Sequence, residues 1–175
     1  MVTYFEYSDY LQQQVIVPWM SLSSIDEIRT FARQLKNSNH GFLRGDTSIS
    51  GAMEFAMKLL ESNSYHSYRS VLDLSGNGRN NDGPPLKETL PVLLSEGITI
   101  NGLALPPGKD NREGPYKAMF SGYEDPIVKY FEEEVNGGPR FFVILIDNDR
   151  NYIDAILRKL VMEIAYSDQQ TKYTR

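Results

Sequence analysis

Cysteine is absent from the 175 residues, and histidine occurs only twice, at His40 and His66. The first absence removes thiol nucleophiles, disulfides and every cysteine-containing zinc site. The two histidines stand apart in sequence and read as surface or loop side chains. No Ser/His/Asp set can be assembled around them, and no serine sits in G-x-S-x-G. Basic charge is also short: 18 Lys and Arg against 23 Asp and Glu give a net charge of -5 and a pI near 5.1. That balance argues against nucleic acid as a partner, because phosphate binding needs a basic face. No apolar run approaches the roughly 20 residues that span a bilayer. Met1–Tyr7 lacks a basic region followed by an apolar core, so it does not read as a signal peptide.

What remains is an ordinary globular composition, 41% hydrophobic and 23% charged, sufficient for a single domain over residues 1–175. Val2–Tyr7 and Gln13–Trp19 are rich in β-branched and aromatic residues. The polar Ser8-Asp9-Tyr10 between them predicts an antiparallel hairpin, with Pro18 at an edge or an end. Ser23 or Ser24 caps a helix carrying Ile25, Ile28, Phe31, Ala32 and Leu35 at helical spacing. A second helix presents Ala52, Phe55, Ala56, Leu59 and Leu60. Strands and helices then alternate: Arg69–Ser75, Pro85–Glu96, Ile98–Leu103, Pro126–Val135, Arg140–Ile146 and Asn151–Ala165. Such alternation with near-continuous apolar strands predicts an α/β fold, three-layered, with a mostly parallel sheet covered by helices and an antiparallel N-terminal edge hairpin. The irregular stretch Pro106–Tyr123 follows a strand, at the sheet edge where open α/β folds bind ligands.

Several loops invite chemistry and have plainer readings. Gly76-Asn77-Gly78-Arg79-Asn80-Asn81 approximates G-x-G-x-x-G, but it ends on Asn and is cut from the next helix by Pro84-Pro85. Asp147-Asn148-Asp149 opens like a calcium loop, yet Tyr152 and Arg158 stand where Gly and Glu are needed. Those acidic residues suit a helix cap, and Glu132-Glu133-Glu134 suits a solvated helix face. The loop Arg44–Gly51 and the stretch Asp73–Asn81 supply hydroxyl, amide and carboxylate oxygens of the kind that hold Mg²⁺, or equally caps and turns.

The order of elements and these two loops resemble the von Willebrand factor A-type (vWA) domain. The chain is more closely similar to the bacterial family DUF1194, on the stretches VTYFEYS, VIVPWMSL, FLRGDTSISGAMEFA, RSVLDLSGNGRNNDGPP, GITINGLAL, YFEEEVNGGPRFFV and ILRKLVMEIA. The resemblance covers nearly the whole chain and implies a doubly wound sheet with one antiparallel edge strand. It also implies a metal site shared by three loops. Thr47 falls on the family's threonine, and Asn77 falls on the third-loop aspartate, with Asp73 nearby as an alternative. The family's first strand, with the Asp-x-Ser-x-Ser loop that follows it, is missing before Met1.

Two expectations follow from that difference. Mg²⁺ should bind poorly or not at all unless a first loop is supplied by a longer protein. The parent strand order becomes 3-2-gap-4-5-6, and a buried central strand is worth about 10 kcal/mol against a domain stability of about 5–15 kcal/mol. Three repairs are open: Val2–Tyr7 pairing with Arg69–Ser75, a strand from another copy filling the gap, or a start assigned too late. The last is favoured, since family relatives carry an export signal upstream. The expected function is a non-enzymatic binding module for an unidentified protein partner. The alternatives are a nucleotide- or small-molecule-binding enzyme using Gly76–Asn81, and a fragment without function of its own.

Overall fold

The computed structural model describes residues 1–38, 45–65, 67–105 and 126–145. Strand β1 (Val2–Tyr7) pairs antiparallel with β2 (Gln13–Met20), Tyr4 opposite Val17 and Tyr7 opposite Gln13, with irregular register between Val2 and Phe5. The turn between them is closed by the Gln12 N–H donating to the Asp9 carbonyl at 2.9 Å. Pro18 occupies an exposed position of β2 and has no register partner in β1. Helix α1 (Ile25–Asn37) opens on a full capping box: the Glu27 N–H donates to Ser24 Oγ, and Glu27 accepts from the Ser24 N–H. Helix α2 (Ile49–Ser62) follows, capped by Ser48, which accepts from the Gly51 N–H at 3.1 Å.

Strand β3 (Ser70–Gly76), helix α3 (Leu86–Ser95), strand β4 (Ile98–Ala104) and helix α4 (Pro126–Tyr130) come next. Strand β5 (Val143–Leu145) runs parallel to β4, Leu103 opposite Ile144, and the second sheet has the order β3-β4-β5. The fold is thus the mixed α/β arrangement expected, with an antiparallel hairpin and a parallel sheet. Every residue of β4 is buried, Thr99 and Asn101 included. That is the signature of a central strand covered on both faces. Among the described residues β1 has no strand partner but β2, so the direct pairing of β1 with β3 is not formed.

The chain groups into two compact units. The first comprises Met1–Leu72, Arg79–Ile100 and Gly137–Arg140; the second comprises Asp73–Gly78, Asn101–Asn136 and Phe141–Arg175. The core of the first includes Val17, Ile49, Met53, Leu93 and Ile100, and that of the second Leu103, Tyr130, Phe131 and Val135.

Four details differ from the sequence reading. Burial in α2 is concentrated in its first turns, at Ile49–Met53 and Ala56, while Phe55, Leu59 and Leu60 are half-buried. None of the apolar residues of α1 is buried. The helix expected over Pro126–Val135 is α only as far as Tyr130. It continues as a π-helical turn, Phe131–Val135, closed by the Asn136 N–H donating to the Phe131 carbonyl at 2.8 Å. The last described strand starts at Val143 and not at Arg140, which takes a left-handed φ of 60° that a strand cannot hold. His40, His66, Pro106–Tyr123, the Asp147–Asn151 loop and the Asn151–Ala165 helix lie outside the described residues.

Candidate functional site

Within the first unit, three segments meet at the N-terminus of α2: the β1–β2 turn, the residues before α2, and Arg79–Pro84. A helix start leaves backbone N–H groups without intrahelical acceptors. Here the chain supplies them from distant loops. The Thr47 N–H donates to Asn81 Oδ1 at 2.6 Å, and the Asn81 N–H returns a bond to the Thr47 carbonyl at 2.9 Å. The Ser50 N–H donates to Asn80 Oδ1 at 2.9 Å, and Asn80 Nδ2 donates to the Pro84 carbonyl at 3.2 Å. Ser48 Oγ donates to the Asp82 carbonyl at 2.8 Å, and the Ser48 N–H donates to the Ser8 carbonyl at 2.7 Å.

The β1–β2 turn is tied in by carboxylates. Asp82 Oδ2 accepts from the Tyr10 N–H at 2.7 Å, while its other oxygen accepts from the Gly83 N–H at 2.8 Å. Asp9 accepts from the Asp46 N–H and from Gln12 Nε2 at 3.0 Å. Gly83 holds a left-handed φ of 81° and lies so close to Tyr10, Ser48 and Ser50 that a Cβ there would sit 2.6–2.8 Å from their side-chain atoms. The inner polar groups are therefore committed to one another, and Asp46, Arg79 and Asn81 are left exposed on the outside.

Tyr10 Oη donates to Glu54 Oε2 at 2.9 Å, and this hydrogen bond raises the tyrosine pKa above its ordinary value of 10.0. A raised folded-state value means stability that is present below the unfolded pKa and lost as pH rises through the folded one. Urea midpoints should therefore fall further between about pH 8 and about pH 11 for the native chain than for Tyr10→Phe. Equal falls would show that Tyr10 and Glu54 are uncoupled.

The residues expected at a metal site are distributed over both units. Thr47 belongs to the first unit, and Asp73 and Asn77 to the second. Asp73, exposed on β3, accepts from Nδ2 of the buried Asn101 at 3.1 Å. Thr47 is joined instead by Asn81, four residues beyond Asn77. Asp9, Asn80 and Asp82 were not singled out by the sequence reading. Asn80 lies in the Asp73–Asn81 stretch expected to serve as turn chemistry, a phosphate loop or Mg²⁺ ligands, and the run of Asn and Asp there gives no sign that it caps a distant helix.

The segment Asp46-Thr47-Ser48-Ile49-Ser50 also has the spelling Asp-x-Ser-x-Ser, at a helix start and not after a strand. Its two serines are fully buried, with hydroxyls 3.4 Å apart, and both point at the Asp82 carbonyl. Ser48 is in addition the α2 cap. Of this segment only Asp46 is exposed; Asn81, from the facing loop, is exposed beside it and donates Nδ2 to Asp46 Oδ1 at 3.3 Å. Among the described residues no three His, Asp or Glu side chains converge as a metal cage. Among the same residues no helix is long and apolar enough to cross a membrane.

Comparison with known proteins bears on the fold and family. A search of curated proteins returns no match. A solved structure similar to the chain is that of proximal thread matrix protein 1 from the mussel byssus, with a TM-score of 0.63 and 15% identity. The alignment covers 93% of this chain and 36% of that one. At that identity the likeness shows the fold, which is vWA-like. The model of a family of proteins of unknown function, DUF1194, matches residues 1–168. Matched over nearly its whole length, the chain belongs to the DUF1194 family.

Proposed function

We propose that the chain is a non-enzymatic vWA-like module that binds a protein partner through the loops at the start of α2, with an incomplete cation site. The observation that carries this reading is the division of labour in the loop cluster. Asn80, Asp82, Ser48 and Ser50 hold the backbone in place, and Asp46, Arg79 and Asn81 stay exposed. Loops fixed on a frame with polar tips outward are how folds present recognition surfaces. The serine hydroxyls are spent on capping and on the Asp82 carbonyl, so neither is poised as a nucleophile with a base beside it. Three carboxylates in the cluster, Asp9, Asp46 and Asp82, suit a partner that offers cationic groups.

The test places a photo-crosslinking residue at Asp46 or Asn81, with Lys87 on α3 as control, and exposes the full chain to a native extract. A discrete crosslinked protein from the loop positions and none from Lys87 is expected. Equal labelling from both, or none from the loops, would overturn the reading. Calorimetric titration with Mg²⁺ and Mn²⁺ addresses the cation site, and tight one-site binding would refute its incompleteness.

A further inference from the structure

Helix α1 carries a stronger message than its sequence alone. Its apolar residues do not all serve the fold: Phe31 and Leu35 are half-buried where the helix packs on β2, but Ile25 and Ile28 remain 69% and 51% exposed. At roughly 100° per residue, Ile25, Ile28 and Ala32 form one exposed apolar strip. Arg29, Arg33 and Lys36 fall at i, i+4 and i+7 immediately beside it.

The acidic residues of the helix do not neutralise that ridge. Glu27 is taken up by the capping box with Ser23 and Ser24. Its own pKa is lowered by the Ser23 hydroxyl bond, so it stays ionised and in place. Asp26 reaches Arg29 alone, at 3.3 Å, in a pair that is almost fully solvated. Arg33 and Lys36 make no ion pair among the described residues. A chain of net charge -5 thus sets three basic side chains, two of them without an ion pair among the described residues, beside a solvent-facing apolar strip.

We propose that this face of α1 docks an acidic protein segment whose apolar side chains cover Ile25, Ile28 and Ala32 while its carboxylates meet Arg29, Arg33 and Lys36. Charge complementarity selects this occupant over two others. Two α1 helices of separate copies packed on a two-fold axis would bring like charges together. An anionic bilayer would face the whole acidic chain and gain only three apolar side chains, too few for an interfacial helix. A single acidic segment meets the strip alone. This surface is distinct from the α2 loops, so neither proposal depends on the other.

The experiment titrates the full chain against a fluorescent synthetic peptide with Leu at helical spacing and Glu on the flanks. The same peptide with Gln for Glu, and phosphatidylserine-containing vesicles, are run in parallel. The Glu peptide should bind, lose affinity with added salt, and bind about tenfold more weakly to the double variant Arg33→Glu/Lys36→Glu and to Ile28→Ser. All three positions are exposed, and an unchanged melting curve for each variant confirms that the fold is kept. Equal binding of Glu and Gln peptides, indifference to the variants, binding to vesicles alone, or self-association abolished by the same variants would each overturn the proposal.

Discussion

Phe131→Ala is expected to lower the unfolding free energy by about 3–5 kcal/mol, a large part of the roughly 5–15 kcal/mol that holds an ordinary domain. Phe131 is fully buried at the start of the π-helical turn, with its ring edge-on to Tyr130 at 6.1 Å. Strand β4 approaches it so closely that a Cβ at Gly102 would lie 2.6 Å from its Cδ1. Asn136, which also lies against Gly102, is anchored by Nδ2 donating to the Phe142 carbonyl at 3.0 Å, so the surroundings resist collapse around the lost ring. Urea denaturation followed by tyrosine fluorescence measures the effect. A loss below about 1 kcal/mol would mean that this packing contributes far less than its burial implies.

Gly83→Ala should be the second largest loss, about 2–5 kcal/mol, the sum of left-handed strain and overpacking. Its Cβ would come within 2.6 Å of Tyr10 Cδ2, 2.7 Å of Ser48 Oγ and 2.8 Å of Ser50 Oγ. Gly97→Ala is the control. Gly97 has a similar φ of 73° but nothing within 4 Å of the added Cβ, so it reports strain alone, about 1–2 kcal/mol. The difference between the two variants isolates the packing of the loop cluster against α2. Equal effects would show that Gly83 is held only by its backbone angle, and that the three segments are not clamped there.

The hairpin, the alternation of β3, α3 and β4, and the caps of α1 and α2 were legible in the sequence because each rests on local chemistry. Residues such as Ser24, Glu27 and Pro18 act on neighbours a few positions away. The loop cluster was not legible, since its bonds run between residues 30 to 72 positions apart, as from Ser50 to Asn80 and from Tyr10 to Asp82. No periodicity announces such pairs. The same limit hid the role of Asn80 and Asn81, whose amides look like ordinary turn residues until Thr47 and Ser50 are brought beside them. The π-helical turn was hidden for another reason: Phe131 and Val135 are four apart, which satisfies the α-helical pattern equally well. Exposure of Ile25 and Ile28 was also beyond the sequence, because amphipathic spacing announces an apolar face and not what lies against it.

The division of the chain into two interleaved units has a consequence for its synthesis. The boundary falls inside β3, between Leu72 and Asp73, and inside β4, between Ile100 and Asn101. Gly137–Arg140 belong to the first unit yet emerge only after Asn101–Asn136 of the second, and Gly137 closes an antiparallel bridge back to Ile100. A ribosome delivering the chain from its N-terminus cannot complete the first unit before most of the second has been translated. Domains that are contiguous in sequence emerge and fold one after the other; the first unit here is completed only after Asn101–Asn136 of the second, and neither unit can be obtained by cutting the gene at one pair of sites.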